Sequence, residues 1–385
     1  MVKFYPFQGL RPKKEFVSEI VSSPYDVISD KEAEEYRKNL KNMIHILLPK
    51  GNDDKYGNAK KELDKLRGFL LNEEKECFYI YQITSSQVNT QTGIFGITTK
   101  DDFDSGKIKE HELTKKSALS DRTNLLNALN VQTGPIYMFH KENTDLERIK
   151  KDITASSPEY DVKFQDQNHK LWVVNDEDAI KQIKSSFNNI DLYIADGHHR
   201  SEVYRDVCGK MFSCVFSDYE INILPYNKAI KSLPENITKE EILKKLENDF
   251  EIKEIAELKS DINSSDIVLL DKNSNYLLKP KDINQNPENA LENTAINILQ
   301  KRILEPLLGI KDIRKDVNII NVGGQDSIKQ MQEMLANDIA EIGFSLPAIT
   351  PQQLIKVSDK GLIMPPKSTW FEPKLLSGMV LYECD

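Results

Sequence analysis

The chain lacks the features that mark several large classes of protein. It contains no apolar run long enough to cross a membrane, and residues 1–6 lead straight into polar sequence rather than into a signal peptide. We therefore expect a cytoplasmic protein with no membrane partner. Its four cysteines show no Cys-x-x-Cys spacing, which argues against a zinc site and is typical of free thiols in a reducing compartment.

Positive charge is in short supply as well. The chain has 52 lysines and arginines against 61 aspartates and glutamates, which gives a formal net charge of -9. Nonspecific binding of nucleic acid needs an excess of lysine and arginine side chains that neutralise the phosphates, so we do not expect a nucleic-acid partner. The sequence also lacks the glycine-rich run that precedes Lys-Ser or Lys-Thr in a Walker A loop, which excludes that type of nucleotide site.

The length of 385 residues exceeds what one hydrophobic core usually supports. We predict a mixed α/β (α+β) fold with more than one lobe. Residues 1–225 are expected to form an α/β core, residues 226–312 a second or inserted α+β lobe, and residues 313–385 a C-terminal segment that returns to the core. The capping boxes Ser29–Glu32 and Thr238–Glu241 predict helix starts, and residues 78–83 and 93–98 predict a pair of strands.

Residues 195–200, Ala-Asp-Gly-His-His-Arg, combine a carboxylate, two imidazoles and a guanidinium around one glycine, and they directly follow the apolar run 192–194. This order predicts a buried strand that turns into a helix at Gly197, with a further strand over residues 211–216 in a right-handed crossover. The glycine lets the backbone approach a ligand, the helix start favours an anion, and Arg200 adds a cation that we expect to face an open cleft. Phosphate is the ligand class that this pattern favours, although a plain Asp-Gly turn has the same local signature.

A second polar segment covers residues 361–374 and contains three prolines. Lys367, Ser368, Thr369 and Lys374 supply cations and hydroxyls beside two aromatic side chains. A rigid surface loop explains this composition, and so does a preordered loop that presents the same side chains to a polyanion.

Four separated patches together resemble the bacterial and archaeal family of domains of unknown function numbered 1015. They are Ser23-Pro24-Tyr25-Asp26-Val27, His111-Glu112-Leu113-Thr114 with Asp121-Arg122, Ala195 to Arg200, and Met364 to Thr369 with Phe371, Pro373, Lys374 and Ser377-Gly378. The Asp-Gly-x-His-Arg core is similar to the phosphate-binding turn of free L-serine kinases. This resemblance implies a nucleotide-binding core of the ParB and sulfiredoxin-like superfamily. It also implies phosphoryl transfer from ADP or ATP, with Mg²⁺, to the hydroxyl of free serine.

The resemblance implies roles for individual residues. Asp196, Glu112 and His199 are the candidate catalytic residues, and Asp196 is also the candidate Mg²⁺ ligand. The nucleotide phosphates are expected to contact Gly197, His198, His199, Arg200, Lys367, Ser368, Thr369 and Lys374. The acceptor substrate is expected to contact Asp26, His111 and Arg122, the last through a bidentate pair with the serine carboxylate. A noncatalytic nucleotide-binding regulator of ParB-like type and a metal-dependent phosphohydrolase remain open as alternatives.

Overall fold

The computed structural model describes residues 2–51, 53–86, 88–114, 116–235, 237–257, 262–284, 290–313 and 315–384. The chain folds into two compact units. The first unit comprises Met1–Glu110, Thr114–Asn222 and Pro373–Asp385, and the second comprises His111–Leu113 and Ile223–Glu372. The boundary expected at residues 312 and 313 does not coincide with this division, because residues 313–372 belong to the second unit and the chain returns to the first at residue 373.

The helices of the first unit are accompanied by two short 3-10 segments, Lys14–Phe16 and Arg67–Phe69. The α-helices are α1 (Val17–Ile20), α2 (Asp30–Arg37), α3 (Ile44–Leu47), α4 (Lys55–Leu66), α5 (Lys100–Asp104), α6 (Lys116–Leu129), α7 (Thr144–Thr154), α8 (Glu177–Ser186) and α9 (His198–Cys208).

The strands of the first unit form a large and a small sheet. The strands are β1 (Gly9–Pro12), β2 (Leu70–Asn72), β3 (Phe78–Ser85), β4 (Gln91–Thr99), β5 (Ile108–Lys109), β6 (Val131–Gln132), β7 (Ile136–His140), β8 (Tyr160–Phe164), β9 (Gln167–Val174), β10 (Leu192–Asp196) and β11 (Lys210–Ser217). The large sheet has the order β5-β10-β7-β11-β4-β3-β9-β8. In the small sheet, a C-terminal strand over Leu381–Glu383 lies between β1 and β6.

The second unit is built around one antiparallel sheet. Its strands are β12 (Asn222–Leu224, which begins at the end of the first unit), β13 (Tyr226–Ile230), β14 (Phe250–Ile255), β15 (Ile267–Leu270), β16 (Asn275–Pro280), β17 (Ile319–Gly323), β18 (Ile342–Ser345) and β19 (Trp370–Glu372), and the C-terminal strand of the first unit is then β20. The sheet has the order β14-β16-β15-β18-β13-β17. The helices are α10 (Lys239–Leu246), α11 (Ala295–Leu299), α12 (Glu305–Leu308), α13 (Ser327–Ala336) and α14 (Pro351–Asp359), with a π-helical segment at Gln300–Leu304.

Each unit buries its own apolar core. In the first, one cluster includes Phe78, Ile94, Met138 and Ile194 on the large sheet, and a second cluster packs around Leu63 of α4. In the second unit, Val268, Leu270, Met331 and Leu335 form a core between the sheet and α13. Every one of these side chains is at most 3% exposed.

The local predictions are confirmed. The Ser29 and Thr238 side chains accept hydrogen bonds from the amides three residues on, and the glutamates at those positions bond back to the cap amides, which is the capping-box geometry. The predicted strand pair is the antiparallel pair of β3 and β4. No helix in the described part of the chain combines the length and apolar character that a membrane crossing requires.

The right-handed crossover predicted around α9 is wrong. Strand β7 lies between β10 and β11, and it pairs antiparallel with β10 and parallel with β11. The two strands that α9 connects therefore run in opposite directions, whereas a crossover unit needs parallel strands.

The expectation of four free thiols is wrong as well. Cys77 and Cys214 are free and buried, but Cys208 and Cys384 form a disulfide across 176 residues of sequence. Spacing along the chain cannot reveal this pair, because the two Cα atoms come within 5.8 Å only when α9 ends beside the C-terminal strand.

Candidate functional site

The predicted turn forms at the end of a buried strand of the first unit. Strand β10 is buried from Leu192 to Ala195, and α9 begins at His198. Gly197 between them has a φ of 93°, in the left-handed region that favours glycine, and the amide of Ser201 donates to its carbonyl to close the first helical turn. A Cβ at this position would lie 3.1 Å from Nε of Arg200. Glycine is therefore required both by the turn and by the side chain packed against it.

Arg200 is buried rather than exposed to an open cleft, contrary to expectation. Its side chain is packed under the turn, where Nη1 donates to the Pro135 carbonyl at 2.5 Å and Nη2 to Asp196 Oδ2 at 3.2 Å. Burial by itself would lower the pKa of Arg200, but the negative charges of Asp26 and Asp196 outweigh it and raise the pKa. The guanidinium therefore stays charged while it holds the turn in place.

Asp196 lies between two cations. Besides Arg200, the Nζ atom of Lys374 lies 3.6 Å from Asp196 Oδ1. The structure therefore brings Lys374 and Arg200 to the same carboxylate, even though Lys374 lies far along the chain. His198 is buried and His199 half-buried in the first turn of α9, where the helix dipole adds partial positive charge.

A narrow pocket beside the turn contains residues from all four of the sequence patches. Arg122 and Arg200 both line it, together with Tyr25, Tyr204 and Ser377, and leucines of α6 form its apolar wall. The guanidinium of Arg122 lies 4.2 Å above the centre of the Tyr25 ring, a cation–π distance. Burial and the negative charge of Asp26, which itself is exposed, raise the pKa of Tyr25 to about 12, so the phenol remains protonated.

Arg122 is already paired with a carboxylate of the protein. Its Nε and Nη2 atoms both donate to Asp121 Oδ2, the former at 2.9 Å, and Nη1 donates to the Leu47 carbonyl at 2.9 Å. Burial would raise the pKa of Asp121, but hydrogen bonds from Lys55 and Arg122 and the charge of Arg122 outweigh it and lower the pKa to about 2. A substrate carboxylate at Arg122, as predicted, would have to share or displace this pair.

The remaining predicted residues lie in the second unit. His111 is buried, its Nε2 lies 3.1 Å from Thr369 Oγ1, and its carbonyl accepts from the amide of Met364. The Lys367 amide faces Glu112 Oε1 at 3.5 Å, and Lys367 itself has a φ of 58°, which is uncommon outside glycine. Ser368 is buried and its hydroxyl donates to the Pro365 carbonyl. The structure therefore joins the His111–Glu112 patch to the 364–369 loop.

Lys228 is a member of this second cluster that the sequence analysis missed. It lies on β13, is fully buried, and its Nζ donates to the carbonyls of Lys367 at 2.7 Å and Tyr226 at 3.2 Å. Burial lowers its pKa to about 7, and of its charged neighbours Glu112 opposes this shift while Lys367 adds to it. The only signal in the sequence is a lysine next to Asn227 on a short strand, a pattern that is also typical of a solvated strand face.

The sequence matches a family model, and the fold is distantly similar to several solved structures. The model of a family described as a protein of unknown function, DUF1015, matches residues 4–303. A free serine kinase in complex with AMP is 13% identical, with 79% of this chain and 94% of that chain covered and a TM-score of 0.42. A conserved hypothetical protein from Pyrococcus furiosus is 13% identical, with coverages of 72% and 90% and a TM-score of 0.39. SbnI with a C-terminal truncation, from Staphylococcus aureus, is 11% identical, with coverages of 74% and 85% and a TM-score of 0.40. No curated protein matches the sequence.

Proposed function

The chain belongs to the DUF1015 family of proteins of unknown function, and we propose that it is a small-molecule kinase that transfers a phosphoryl group from ADP or ATP to the hydroxyl of free L-serine. The observation that carries the proposal is the turn at Gly197. At this turn a left-handed glycine precedes a helix start, and the buried Arg200 and the nearby Lys374 supply two positive charges of which Asp196 offsets one. Phosphate groups bind in such places because the helix dipole and the cationic side chains both favour negative charge.

The choice of acceptor rests on the similarity of Asp196, Gly197, His199 and Arg200 to the phosphate turn of free L-serine kinases, which also supports a ParB and sulfiredoxin-like core for the first unit. Serine carries a carboxylate and a hydroxyl. Arg122 lies in the same pocket as Arg200 and would hold the carboxylate. The negative charge of Asp26 raises the pKa of Arg200, which places Asp26 near the same site.

In the reaction, the serine oxygen bonds to phosphorus, the bond to the leaving AMP or ADP breaks, and the hydroxyl proton passes to a carboxylate. Asp196 is the proposed candidate for that carboxylate, and Glu112, the other candidate from the sequence, belongs to the second unit.

Mg²⁺ would neutralise charge on the transferred phosphoryl group when bound. In the described ranges, no group of three or more His, Cys, Asp or Glu residues is arranged to hold a metal ion. We propose that nucleotide phosphates and water would supply most of the Mg²⁺ ligands, with Asp196 as a ligand from the protein. Within the first unit, Arg200 and Lys374 then have the separate task of holding the phosphates and keeping Asp196 oriented.

One observation favours a second candidate, a nucleotide-binding regulator without turnover. Asp196 faces Arg200 with one oxygen and Lys374 with the other. That arrangement suits a carboxylate that stabilises the turn, as well as one that accepts a proton. A regulator would bind nucleotide at the same turn and would not consume serine.

The test is to incubate the purified protein with Mg²⁺, free L-serine and either ADP or ATP, and to assay O-phosphoserine by mass spectrometry. Nucleotide binding is measured in parallel by calorimetry, with threonine and water alone as acceptor controls. Formation of O-phosphoserine supports the kinase. Binding without product would identify the regulator, release of phosphate without serine would identify a phosphohydrolase, and absence of nucleotide binding would overturn the site itself.

A further inference from the structure

The C-terminal segment Pro373–Cys384 contacts the end of β10, just before α9 begins, and the last residue of α9. At the start of the helix, Lys374 is paired with Asp196, two residues before His198. At the end of the helix, Cys384 is bonded to Cys208, the last residue of α9. All of these residues belong to the first unit. One segment therefore fixes the helix whose first turn carries the candidate phosphate site.

Noncovalent contacts hold the segment independently of the disulfide. Ser377 exchanges two backbone hydrogen bonds with Ser22, at 2.9 and 3.1 Å. The backbone of Cys384 is held by Asn130, which accepts from the Cys384 amide at 3.0 Å and donates from Nδ2 to its carbonyl at 2.9 Å. The C-terminal segment would therefore remain folded against the first unit when the disulfide is reduced, so Cys384 stays within reach of Cys208 even though the two are no longer fixed to each other.

The two sulfurs have different surroundings. Cys208 is partly exposed, whereas Cys384 is 8% exposed and its Sγ lies 3.6 Å from the Nε2 donor of Gln132. Gln132 is fully buried and rigidly placed, since its Nε2 also donates to the Lys210 carbonyl and its Oε1 accepts from the Phe212 amide, both at 2.8 Å. An amide donor beside a sulfur stabilises the thiolate that leaves when a disulfide is attacked.

We propose that Cys208–Cys384 is a reversible thiol–disulfide site that locks α9 and the C-terminal segment together when oxidised and loosens them when reduced. A small thiolate attacks Sγ of Cys208, the S–S bond breaks, and the electron pair leaves on Sγ of Cys384 beside Gln132. A second thiolate then releases Cys208, so that two small thiols become one small disulfide and the protein gains two thiols. Oxidation by a small-molecule disulfide runs the same exchange backwards.

The first experiment counts thiols in the full-length protein with an alkylating reagent and mass spectrometry. After oxidation with glutathione disulfide, the denatured protein should take up two alkyl groups, at Cys77 and Cys214, and after treatment with dithiothreitol it should take up four. Four alkyl groups after oxidation would overturn the proposal. The buried Cys77 and Cys214 should not react in the native protein in either state, which makes them internal controls.

The second experiment measures what the bond does. Reduction should lower the unfolding temperature by about 5–10 °C and speed hydrogen exchange in residues 198–208 and 373–384. The Cys208→Ser/Cys384→Ser variant should show neither response to dithiothreitol, whereas Cys77→Ser should respond like the natural sequence. Equal melting and equal exchange in the two redox states would overturn the proposal. A final arm rests on the proposed function: reduction should weaken ADP binding severalfold, and its failure alone would count against the nucleotide site and not against the lock.

Discussion

Two buried cationic side chains of this protein are surrounded by different compensating groups. Arg200 is buried with a carboxylate beside it, and the pair leaves little net charge in the interior. Lys228 is buried with its ammonium directed at two backbone carbonyls and close to the Tyr226 ring. Carbonyl dipoles compensate a buried charge less fully than a carboxylate does, which explains why burial lowers the pKa of Lys228 while Arg200 remains charged.

Replacing Asp196 tests its proposed role as base or Mg²⁺ ligand. Asp196→Asn keeps the shape of the side chain but removes the charge that faces Arg200 and Lys374. We expect O-phosphoserine formation to fall roughly 10²–10⁴-fold, the usual effect of losing a general base. Nucleotide binding should survive or tighten, because a negative charge leaves the phosphate surroundings. Unchanged turnover, measured beside calorimetry of ADP binding, would remove Asp196 from the chemistry.

Lys228 gives a pH dependence of stability with a definite sign. Its pKa is about 7 in the folded protein and near 10.5 when unfolded, so between these values the unfolded chain holds a proton that the folded chain lacks. The free energy of unfolding should therefore rise with pH above about 7, by about 1–3 kcal/mol up to pH 9. Lys228→Met should lack this rise in urea titrations at several pH values. The exposed Lys231→Met is the matched control and should keep it. Parallel curves for the natural chain and Lys228→Met would contradict the assignment.

At the scale of elements, α9 begins and ends at a glycine in the left-handed region. Gly197 and Gly209 have φ values of 93° and 66°. A Cβ at Gly209 would meet open space, whereas one at Gly197 would crowd the Arg200 guanidinium. A side chain added at Gly209 would therefore cause backbone strain alone, whereas one added at Gly197 would also contact the site.

Substituting each glycine exploits this difference. Gly209→Ala should cost about 1–2 kcal/mol, the penalty of a left-handed alanine, and leave ADP binding unchanged. Gly197→Ala should cost more, because it also displaces Arg200, and should weaken ADP binding. Denaturant titration and calorimetry on both variants measure the two effects. Equal losses of stability with equal affinities would show that the Gly197 turn does not shape the phosphate site.

Elements with local signals were predictable, and those set by distant pairing were not. The capping boxes and the β3–β4 pair arise from residues close in sequence, and the 195–200 motif is contiguous, so its strand-to-helix turn could be read directly. Nothing local shows that β7 separates β10 from β11, or that β17 and β18 flank β13. The burial of Lys228 was not predicted for the same reason, because a strand that is covered on both faces can be recognised only from the elements that cover it.

At the scale of the whole molecule, each unit has its own core and can be perturbed separately. Leu270 is fully buried in the second unit beside Met331 and Leu335. Leu270→Ala should cost about 2–5 kcal/mol, the usual loss for a truncated core leucine. Hydrogen exchange should speed up across residues 223–372 and stay unchanged in the large sheet of the first unit. The control Val317→Ala, at a position 82% exposed, should change neither. Faster exchange throughout the chain would show one cooperative unit instead of two.

The central place of β20 in the small sheet has a consequence for biosynthesis. A ribosome makes the chain from its N-terminus, so β1 and β6 emerge long before the strand that joins them. The whole of residues 223–372 is made in between, which at about 5–20 residues per second takes roughly 8–30 seconds. The second unit can therefore acquire its complete sheet while the first still lacks a strand. Until translation reaches residues 381–383, β1 and β6 each present an unpaired edge, the stage at which nascent chains are most exposed to wrong strand pairing and to chaperone capture.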